Sequence, residues 1–194
     1  MAKPNVITKE DLINSAKECL IQNGIEKFTL RSVAEMAGVT QGTIYYHFKT
    51  KEQLYLDIVN DICTKSWKEI SQQSNPYSLS EAVESAKSRS SYDSTFHKLF
   101  LSLIVSSFNN EKMRKQLGEI IQKENNELTK KLLSVWSISP INGISIEAWG
   151  IFINAIVDGI ALQALVQKDF PVDKTFKELE LLFKGLTHLL NKGD

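Results

Sequence analysis

Apolar positions in this chain recur every three or four residues over long stretches, and no stretch shows the strict alternation of a half-buried strand. The spacing predicts helices along the chain, so the expected fold class is all-α. The first helix is predicted to begin near Thr8, with Asp11 as its capping partner, and to stop at Gly24. Four of its positions are expected to face inward: Leu12, Ala16, Cys19 and Leu20.

Two short helices and the start of a third are predicted between Thr29 and Leu54, in the segment TLRSVAEMAGVTQGTIYYHFKTKEQL. Thr29 and Thr40 are placed to cap the two short helices. Gly38 lies where the residue after a helix takes positive φ, so it ends the first of them. A tight turn between two short helices is typical of a helix-turn-helix.

The second short helix has an inward and an outward face. Ile44 and Phe48 are its inward anchors, and Gly42 adds a point of low bulk. The outward side chains can form hydrogen bonds or are amphipathic, as reading base edges and phosphates in a major groove requires: Gln41, Thr43, Tyr45, Tyr46 and His47. The segment therefore predicts DNA binding.

The third helix is predicted to open with a capping box, in which Thr50 accepts from the amide of Gln53 and Gln53 reaches back. A helix N-terminus offers free amides and the positive end of the helix dipole. Lys51 adds a full charge beside it, so a DNA phosphate is suited to bind there.

The residues from Phe28 to Leu54 resemble the TetR family of bacterial one-component repressors. The threonine cap, Ala-Glu-x-Ala-Gly-Val, Gly-Thr-Ile-Tyr-x-His-Phe and Lys-x-Lys-Glu-x-Leu all stand in the register of that family. The resemblance is strong over the first quarter to third of the chain, and the rest is similar only in architecture. It implies a three-helix DNA-binding head, residues 1–52, and a larger helical body for ligand binding and dimerisation, residues 53–194.

The resemblance also implies roles for single residues. Lys51, Tyr45 and His47 match positions that commonly contact phosphates, whereas Arg31 could contact DNA or pair with Glu35 one turn later. Residues in the first turn of a recognition helix contact base edges, although Thr40 could serve only as a cap. The predicted DNA-contacting set is Thr29, Arg31, Thr40, Gln41, Thr43, Tyr45, Tyr46, His47 and Lys51. The plain alternative is a helical hairpin whose tyrosines and histidine face water.

Composition limits the remaining possibilities. The 194 residues hold 23 Lys and Arg against 23 Asp and Glu, so global charge gives no sign of nucleic-acid binding. Charge position matters more, because four cations cluster in the motif: Lys27, Arg31, Lys49 and Lys51.

Cysteine and histidine usage predicts a reduced, cytoplasmic chain without a metal or a cofactor, since Cys19 and Cys63 form no CxxC pair. Glu10 and Asp11 precede any apolar run, which excludes a signal peptide at that point. No span is expected to approach the ~20 apolar residues of a membrane helix, so no membrane partner is expected.

The helix that opens at Lys51 is predicted to run toward Trp67 and Ile70 and to link head and body. A polar stretch from Ser71 to Thr95 follows, and we expect it to be mobile. Within it, Asn75-Pro76 breaks the chain, and a short helix after Ser78 is expected to use Glu81 as its capping partner. An aromatic helix and a long amphipathic helix come next, up to the break marked by Pro140, Asn142 and Gly143.

Aromatic and polar residues of the body are candidates for a ligand cavity, with core packing as the alternative for each. The predicted pocket consists of Trp67, Phe96, Phe100, Leu103, Trp136, Trp149, Phe152, Asn154 and Asp158. Asn154 and Asp158 lie on a mostly apolar helix, so they should have partners: a ligand, a neighbouring helix or a second copy. The charge-rich segment from Gln122 to Lys131 is interpreted as a solvated face.

The last two helices are expected to form half of a four-helix dimer interface. Residues 146–166 are apolar on nearly every face, which is typical of a helix buried on most sides. The final helix carries a heptad-like seam, the predicted interface: Phe176, Leu179, Phe183, Leu186 and Leu190.

Together these patterns predict a homodimeric repressor that binds a roughly palindromic DNA operator and is released by a small-molecule effector. The aromatic body suggests a lipophilic or aromatic effector, and Asp158 leaves room for a cationic one. Two other classes of protein are alternatives. A helical adaptor without DNA binding stays open, whereas an enzyme would need a nucleophile, acid-base pair or metal set that the sequence does not display.

Overall fold

The computed structural model describes residues 7–72 and 79–190, without the side chains of residues 69–72 and 79–82. Over these ranges the chain forms nine helices and no strand, so the all-α expectation is confirmed. The helices are α1 (Lys9–Asn23), α2 (Leu30–Met36), α3 (Gln41–Phe48), α4 (Lys51–Gln72), α5 (Leu79–Arg89), α6 (Thr95–Ser107), α7 (Glu111–Val135), α8 (Ile146–Val166) and α9 (Val172–Leu190).

The chain divides into two compact units. The first contains residues up to Ile62 together with Lys98–Leu117, and the second contains Cys63–His97 and the residues from Gly118 onward. Compactness thus assigns residues 98–117 to the first unit, whereas the sequence divides the chain by function at residue 52. That functional division stays a prediction.

The helix ends in the first unit are those that the sequence predicts. Thr8 caps α1 in a reciprocal box with Asp11, and Thr29 caps α2 with Ser32. Gly24 and Gly38 have φ of +72° and +65°, a region that glycine enters without strain. The four inward positions of α1 are buried.

The predicted capping box at the start of α4 forms only in part. The Gln53 amide donates to Thr50 Oγ1 over 3.0 Å, as expected. The Gln53 side chain does not reach back, because the Thr50 amide donates to the carbonyl oxygen of Phe48. Gln53 Nε2 instead donates to Asp57 Oδ1, one turn further along α4, over 3.2 Å.

Helices α1 and α4 are joined by two ion pairs. Lys9 Nζ lies 2.6 Å from Asp57 Oδ2, and Lys17 pairs with Asp61, about two turns further along α1 and one turn further along α4. Five apolar side chains of the same unit are buried without exposed surface: Phe28, Ile44, Phe48, Leu54 and Ile58. The scaffold below α3 is therefore fixed by both apolar packing and charge.

The core of the second unit forms around two tryptophans. The rings of Trp136 and Trp149 meet edge to face with centroids 5.7 Å apart. Their indole nitrogens donate to Thr187 Oγ1 over 3.0 Å and to Ser139 Oγ over 3.1 Å. Other members of this core are Ala86, Ile146, Ile160, Phe176, Leu179, Phe183 and Leu186, with Leu190 packed against it.

This core contains the predicted dimer seam. Phe176, Leu179, Phe183 and Leu186 are buried by their own chain. The structure thus differs from the expectation that the seam buries against a second copy. A heptad-like pattern predicts which positions are buried but not which element packs against them. In this chain, helices of the same chain cover the seam.

Helix α8 also differs from the expectation. The sequence predicts burial on most sides, but the apolar residues Ile151, Phe152, Leu162 and Val166 are exposed in the single chain. By length and composition alone, α8 is able to cross a membrane, which corrects the expectation that no segment approaches that length.

Helices α7 and α8 pack closely. A Cβ at Gly150 would lie 2.5 Å from Thr129 Oγ1 and 3.0 Å from the carbonyl oxygen of Asn125, so glycine permits this approach. Asn154 Nδ2 then donates to Asn125 Oδ1 over 2.9 Å. Asn154 therefore has a partner on a neighbouring helix, one of the three alternatives that the sequence leaves open.

Candidate nucleic-acid interface and effector site

Helix α3 presents a polar face that its own anchors support. Ile44 and Phe48 are fully buried, whereas Gln41 and Gly42 in the first turn are exposed. Tyr45 and Tyr46 are 57% and 72% exposed, so both rings lie at the surface. One face of α3 is therefore packed in the core, and the opposite face is exposed.

The start of α3 is fixed by two threonines. Thr40 Oγ1 accepts from the amide of Thr43 over 3.2 Å and lies 3.0 Å from Thr43 Oγ1. Thr40 thus caps the helix, and its hydroxyl still borders the exposed first turn. Thr29 has the same capping role for α2, where its Oγ1 accepts from the amide of Ser32 over 3.0 Å.

The charged candidates have different surroundings. Arg31 Nε pairs with Glu35 Oε1 at 3.0 Å on an exposed helix face. Surface pairs of this kind contribute little stability, so the guanidinium can exchange its partner at low cost. Lys51 Nζ lies over the rings of Tyr55 and Phe28, 5.3 and 6.0 Å from their centroids.

His47 lies beside the tyrosines of α3. Its ring meets that of Tyr46 edge to face with centroids 5.2 Å apart, and the side chain is half-buried. The structure thus brings the predicted contacts of α3 onto one helix, with Lys51 at the start of the next. Their contact with DNA stays a prediction.

A second candidate site lies in the second unit, where half-buried acidic groups converge. Trp67 Nε1 donates to Glu124 Oε1 over 2.7 Å, and the Cys63 thiol also donates to this carboxylate. Burial raises the pKa of Glu124, and the hydrogen bonds from Trp67 and Cys63 oppose that rise. Burial, with the nearby Glu124 charge, raises the pKa of the Cys63 thiol, so the thiol stays protonated.

Asp158 lies close enough to Glu124 for their charges to repel. Burial, followed by that repulsion, raises the pKa of Asp158 to about 6, and the Arg89 guanidinium opposes the rise. Within the described residues, no hydrogen bond or ion pair to the Asp158 carboxylate is found. Two acids and one arginine leave this half-buried region with an excess of negative charge when both acids are ionised.

Arg89 is held at the end of α5. Its Nη1 lies 3.4 Å from Ser66 Oγ, and its carbonyl oxygen accepts from Nδ1 of buried His97 over 2.9 Å. Burial lowers the pKa of His97, which favours the neutral ring. His97 therefore fixes the backbone of Arg89 without adding a charge.

The predicted pocket residues separate into different places. Trp67 and Asp158 both adjoin Glu124, whereas Trp136 and Trp149 belong to the core of the second unit. The other members are Phe152, which is exposed, Phe100 and Leu103, which belong to the first unit, and Phe96 and Asn154, which belong to the second.

The segment expected to gate the pocket, residues 71–95, is described only in part. Residues 73–78, which include the Asn75-Pro76 break, lie outside the described residues. The expected cap at Glu81 depends on a side chain that also lies outside them, so it stays a prediction.

Glu124 is not among the site residues that the sequence predicts. The sequence predicts a solvated face from Gln122 to Lys131, but Glu124 turns inward to Trp67. The available signal was helical spacing, since Glu124 follows Ile120 and precedes Leu128 by four residues on the apolar stripe of α7. An acid in such a stripe needs a partner or a function.

Comparison with known protein families gives a match to the N-terminal helices. Residues 12–58 match the family model described as "Bacterial regulatory proteins, tetR family". The HTH-type transcriptional regulator QacR of Staphylococcus aureus (strain Mu50 / ATCC 700699) is 39% identical over 61 residues. That alignment covers 31% of this chain and 32% of QacR, about a third of the length of each protein.

Solved structures match over nearly the whole chain. GusR of Salmonella enterica aligns with a TM-score of 0.66 at 16% identity and covers 97% of this chain and 98% of its own. The multidrug binding protein EbrR, complexed with proflavin, aligns with a TM-score of 0.59 at 20% identity, over 91% of this chain and 98% of its own. At these identities the likeness concerns the fold alone, and it covers the helical body as well as the first three helices.

Proposed function

We propose that this chain, which belongs to the TetR family of transcriptional regulators, is a cytoplasmic repressor. It binds a roughly palindromic operator as a homodimer, and it leaves the operator when a small ligand binds the helical body. The exposed polar face of α3 above its buried anchors carries the proposal. The repressor needs no cofactor and no catalytic group, because its action is a change in DNA affinity.

The DNA contacts follow from the geometry of α3. Gln41 and Thr43 in the first turn are the base-reading candidates, because the N-terminal residues of a recognition helix face base edges. Tyr45, His47 and Lys51 lie further along and contact phosphates, which fix the register of the protein on the duplex.

Gly42 supports a close approach of DNA. A Cβ at Gly42 would lie 3.5 Å from Thr40 Oγ1, an ordinary contact that the protein itself tolerates. Alanine would also favour the helix, so the fold supplies no reason for glycine at this position. Space for a base edge or a backbone atom of DNA supplies one.

Dimerisation uses the apolar surface that the single chain leaves exposed on α8 and α9. This surface comprises Ile151, Phe152, Leu162 and Val166 on α8 and Leu181, Leu182 and Leu189 on α9. Large exposed apolar patches mark interaction sites. A second copy covers this surface in the proposal, which also accounts for the membrane-like length and composition of α8.

The effector is a lipophilic or aromatic cation in the proposal. Glu124 and Asp158 supply the negative charge, and the indole of Trp67 supplies an aromatic face beside them. A cation bound between the two carboxylates relieves their mutual repulsion and compensates for their burial. EbrR is complexed with proflavin in its solved structure, which makes that aromatic compound a reasonable first probe.

Ligand and DNA must oppose each other reciprocally. A coupling free energy of about 1 to 3 kcal/mol weakens DNA binding roughly 5-fold to 150-fold when ligand binds. The same factor must weaken ligand binding when DNA is bound, so the ligand affinity of the DNA-bound protein is a second measurement of the coupling.

An electrophoretic mobility shift with the DNA upstream of the gene for this chain tests the proposal. We expect a retained complex that competitor DNA of random sequence fails to displace at equal concentration. A helical adaptor without DNA binding, the alternative function, would give no shift with either DNA.

A further inference from the structure

Lys49 has an unusual backbone conformation at the end of α3. Its φ and ψ are 65° and −47°, and it is the only non-glycine residue with positive φ in ranges 7–72 and 79–190. The amide of Thr50 donates to the carbonyl oxygen of Phe48 over 2.7 Å, which closes a γ-turn around Lys49. This type of γ-turn is rare and strained for a residue with a side chain.

The Lys49 side chain lies over two exposed aromatic rings. Its Nζ is 5.5 Å from the ring centroid of Tyr45 and 5.2 Å from that of Tyr46. Both distances lie within the range of an attractive cation–π contact. The ammonium group is therefore held on a pair of tyrosines at the outer face of α3, while Lys49 itself stays exposed.

The turn alone does not explain a lysine at this position. Glycine adopts positive φ without strain and would close the same turn with less cost to the fold. The segment uses glycine at two other positive-φ positions, Gly24 and Gly38. Strain that persists where a simpler residue would serve is typical of functional sites.

The surroundings of Lys49 also differ from those of the neighbouring lysine. Lys51 lies over Phe28 and Tyr55, which are buried in the first unit. The rings below Lys49 are exposed and belong to the predicted phosphate-contacting helix. The charge of Lys49 thus stands at the surface that would meet DNA.

We propose that Lys49 is a phosphate-binding residue of the DNA interface, placed by the γ-turn and held in position by Tyr45 and Tyr46. This inference rests on the proposed DNA-binding function. The ring pair keeps the ammonium group close to one position before DNA binds, so less side-chain freedom is lost on binding. The cation then displaces a counterion from the DNA backbone.

Lys49→Gly, Lys49→Arg and the control Lys115→Gln test the proposal in the full chain. Lys115 is an exposed lysine of α7 in the same compact unit. Binding to the upstream DNA fragment is measured at salt concentrations between about 50 and 200 mM, and thermal unfolding is measured beside it.

We expect Lys49→Gly to unfold at an equal or higher temperature than the wild type, because the strain is relieved. Its DNA affinity should fall several-fold, and the slope of log affinity against log salt should fall by about one for each half-site. Lys49→Arg should keep the wild-type slope, and Lys115→Gln should match the wild type.

Tyr46→Leu tests the ring pair. In that background, replacing Lys49 with Gly should reduce affinity by a smaller factor than in the wild type, because the cation is no longer held. Equal factors in both backgrounds would overturn the role of the rings.

The other outcomes separate this inference from the proposed function. If the wild type binds DNA and Lys49→Gly keeps its affinity or its salt slope, the phosphate-binding role is overturned and the repressor proposal stands. If Lys49→Gly loses its fold, the inferred strain and the placement of Lys49 by the turn are overturned. If the wild type itself shows no preference for the upstream DNA, both proposals fail.

Discussion

The indole of Trp67 donates a 2.7 Å hydrogen bond to the carboxylate of Glu124, on a segment of α7 whose charge pattern predicts a solvated face. This bond fixes a half-buried acid beside an aromatic face. Asp158 adds a second carboxylate whose pKa is raised to about 6 by burial and by the charge of Glu124. The two acids therefore reduce the stability of the fold when both are ionised.

Asp158→Asn should stabilise the protein at about pH 7.5. The folded pKa of Asp158 lies above its unfolded value of 3.8, so the folded state holds the proton more tightly. Its contribution to stability is therefore most favourable below about pH 4 and is lost as pH rises through about 6. Thermal unfolding at about pH 4.5 and pH 7.5 should show a mutant advantage that grows with pH.

Asp169→Asn is the matched control for that measurement, since Asp169 is exposed. Its effect on the unfolding temperature should be small at both pH values. A lower unfolding temperature for Asp158→Asn at the higher pH would mean that Asp158 has a stabilising partner and is not an uncompensated buried acid.

Glu124→Gln should weaken binding of a lipophilic aromatic cation by roughly tenfold to a hundredfold, or about 1.4 to 2.8 kcal/mol. The substitution keeps the shape and removes the charge that attracts the ligand. Titration of proflavin, followed by the fluorescence of the three tryptophans of the chain, reports binding. Glu119→Gln, an exposed position on the same helix, should bind like the wild type.

A neutral aromatic compound of similar size provides the second comparison. Its affinity should change little between wild type and Glu124→Gln. Equal losses for the cation and the neutral compound would show that the carboxylate acts through packing and would remove cationic charge from the proposed effector.

Leu182→Glu should separate the dimer without unfolding the chain, whereas Phe183→Glu should unfold it. Leu182 is 53% exposed on α9, while the next residue, Phe183, is 4% exposed and lies in the core. A charge in the core has no partner, and its burial costs several kcal/mol. Sedimentation velocity and circular dichroism distinguish a folded monomer from an unfolded chain.

A Leu182→Glu variant that sediments as a dimer would remove this face of α9 from the interface. A folded, dimeric Phe183→Glu variant would instead contradict the burial of the seam in its own chain.

Gln41→Ala and Lys51→Ala should weaken DNA binding in different ways. Loss of a base contact should cost about 1 to 3 kcal/mol on the operator and spare binding to random DNA. Loss of the Lys51 charge should weaken binding to both DNAs alike and reduce the salt slope by about one for each half-site. Anisotropy titrations with operator and random DNA distinguish an operator-specific loss from an equal loss on both. An equal loss for Gln41→Ala and an operator-specific loss for Lys51→Ala would reverse the proposed roles.

The helix-turn-helix was predictable because its ends depend on local chemistry. Thr8, Thr29 and Thr40 cap helices through their own hydroxyls, and Gly24 and Gly38 take positive φ where the chain must leave a helix. These choices involve neighbours within four residues. The groups that decide each helix end are therefore close together in the sequence.

The body was less predictable because its contacts join distant residues. The spacing of Phe176 and Phe183 identifies a buried stripe but not the Trp136 cluster that covers it. The partner of Glu124 is 57 residues away in the chain. The γ-turn at Lys49 carries no local signal either, since neither glycine nor asparagine occupies its centre.

Footprinting on the DNA upstream of the gene for this chain is the decisive measurement for operator binding. A dimeric repressor should give two protected half-sites related by approximate two-fold symmetry, with centres separated by about 34 to 36 Å of duplex or a multiple of it. Addition of the effector should remove both protections together. Uniform protection without preferred sites, or no protection at concentrations where the protein is folded and dimeric, would contradict the assignment as an operator-binding repressor.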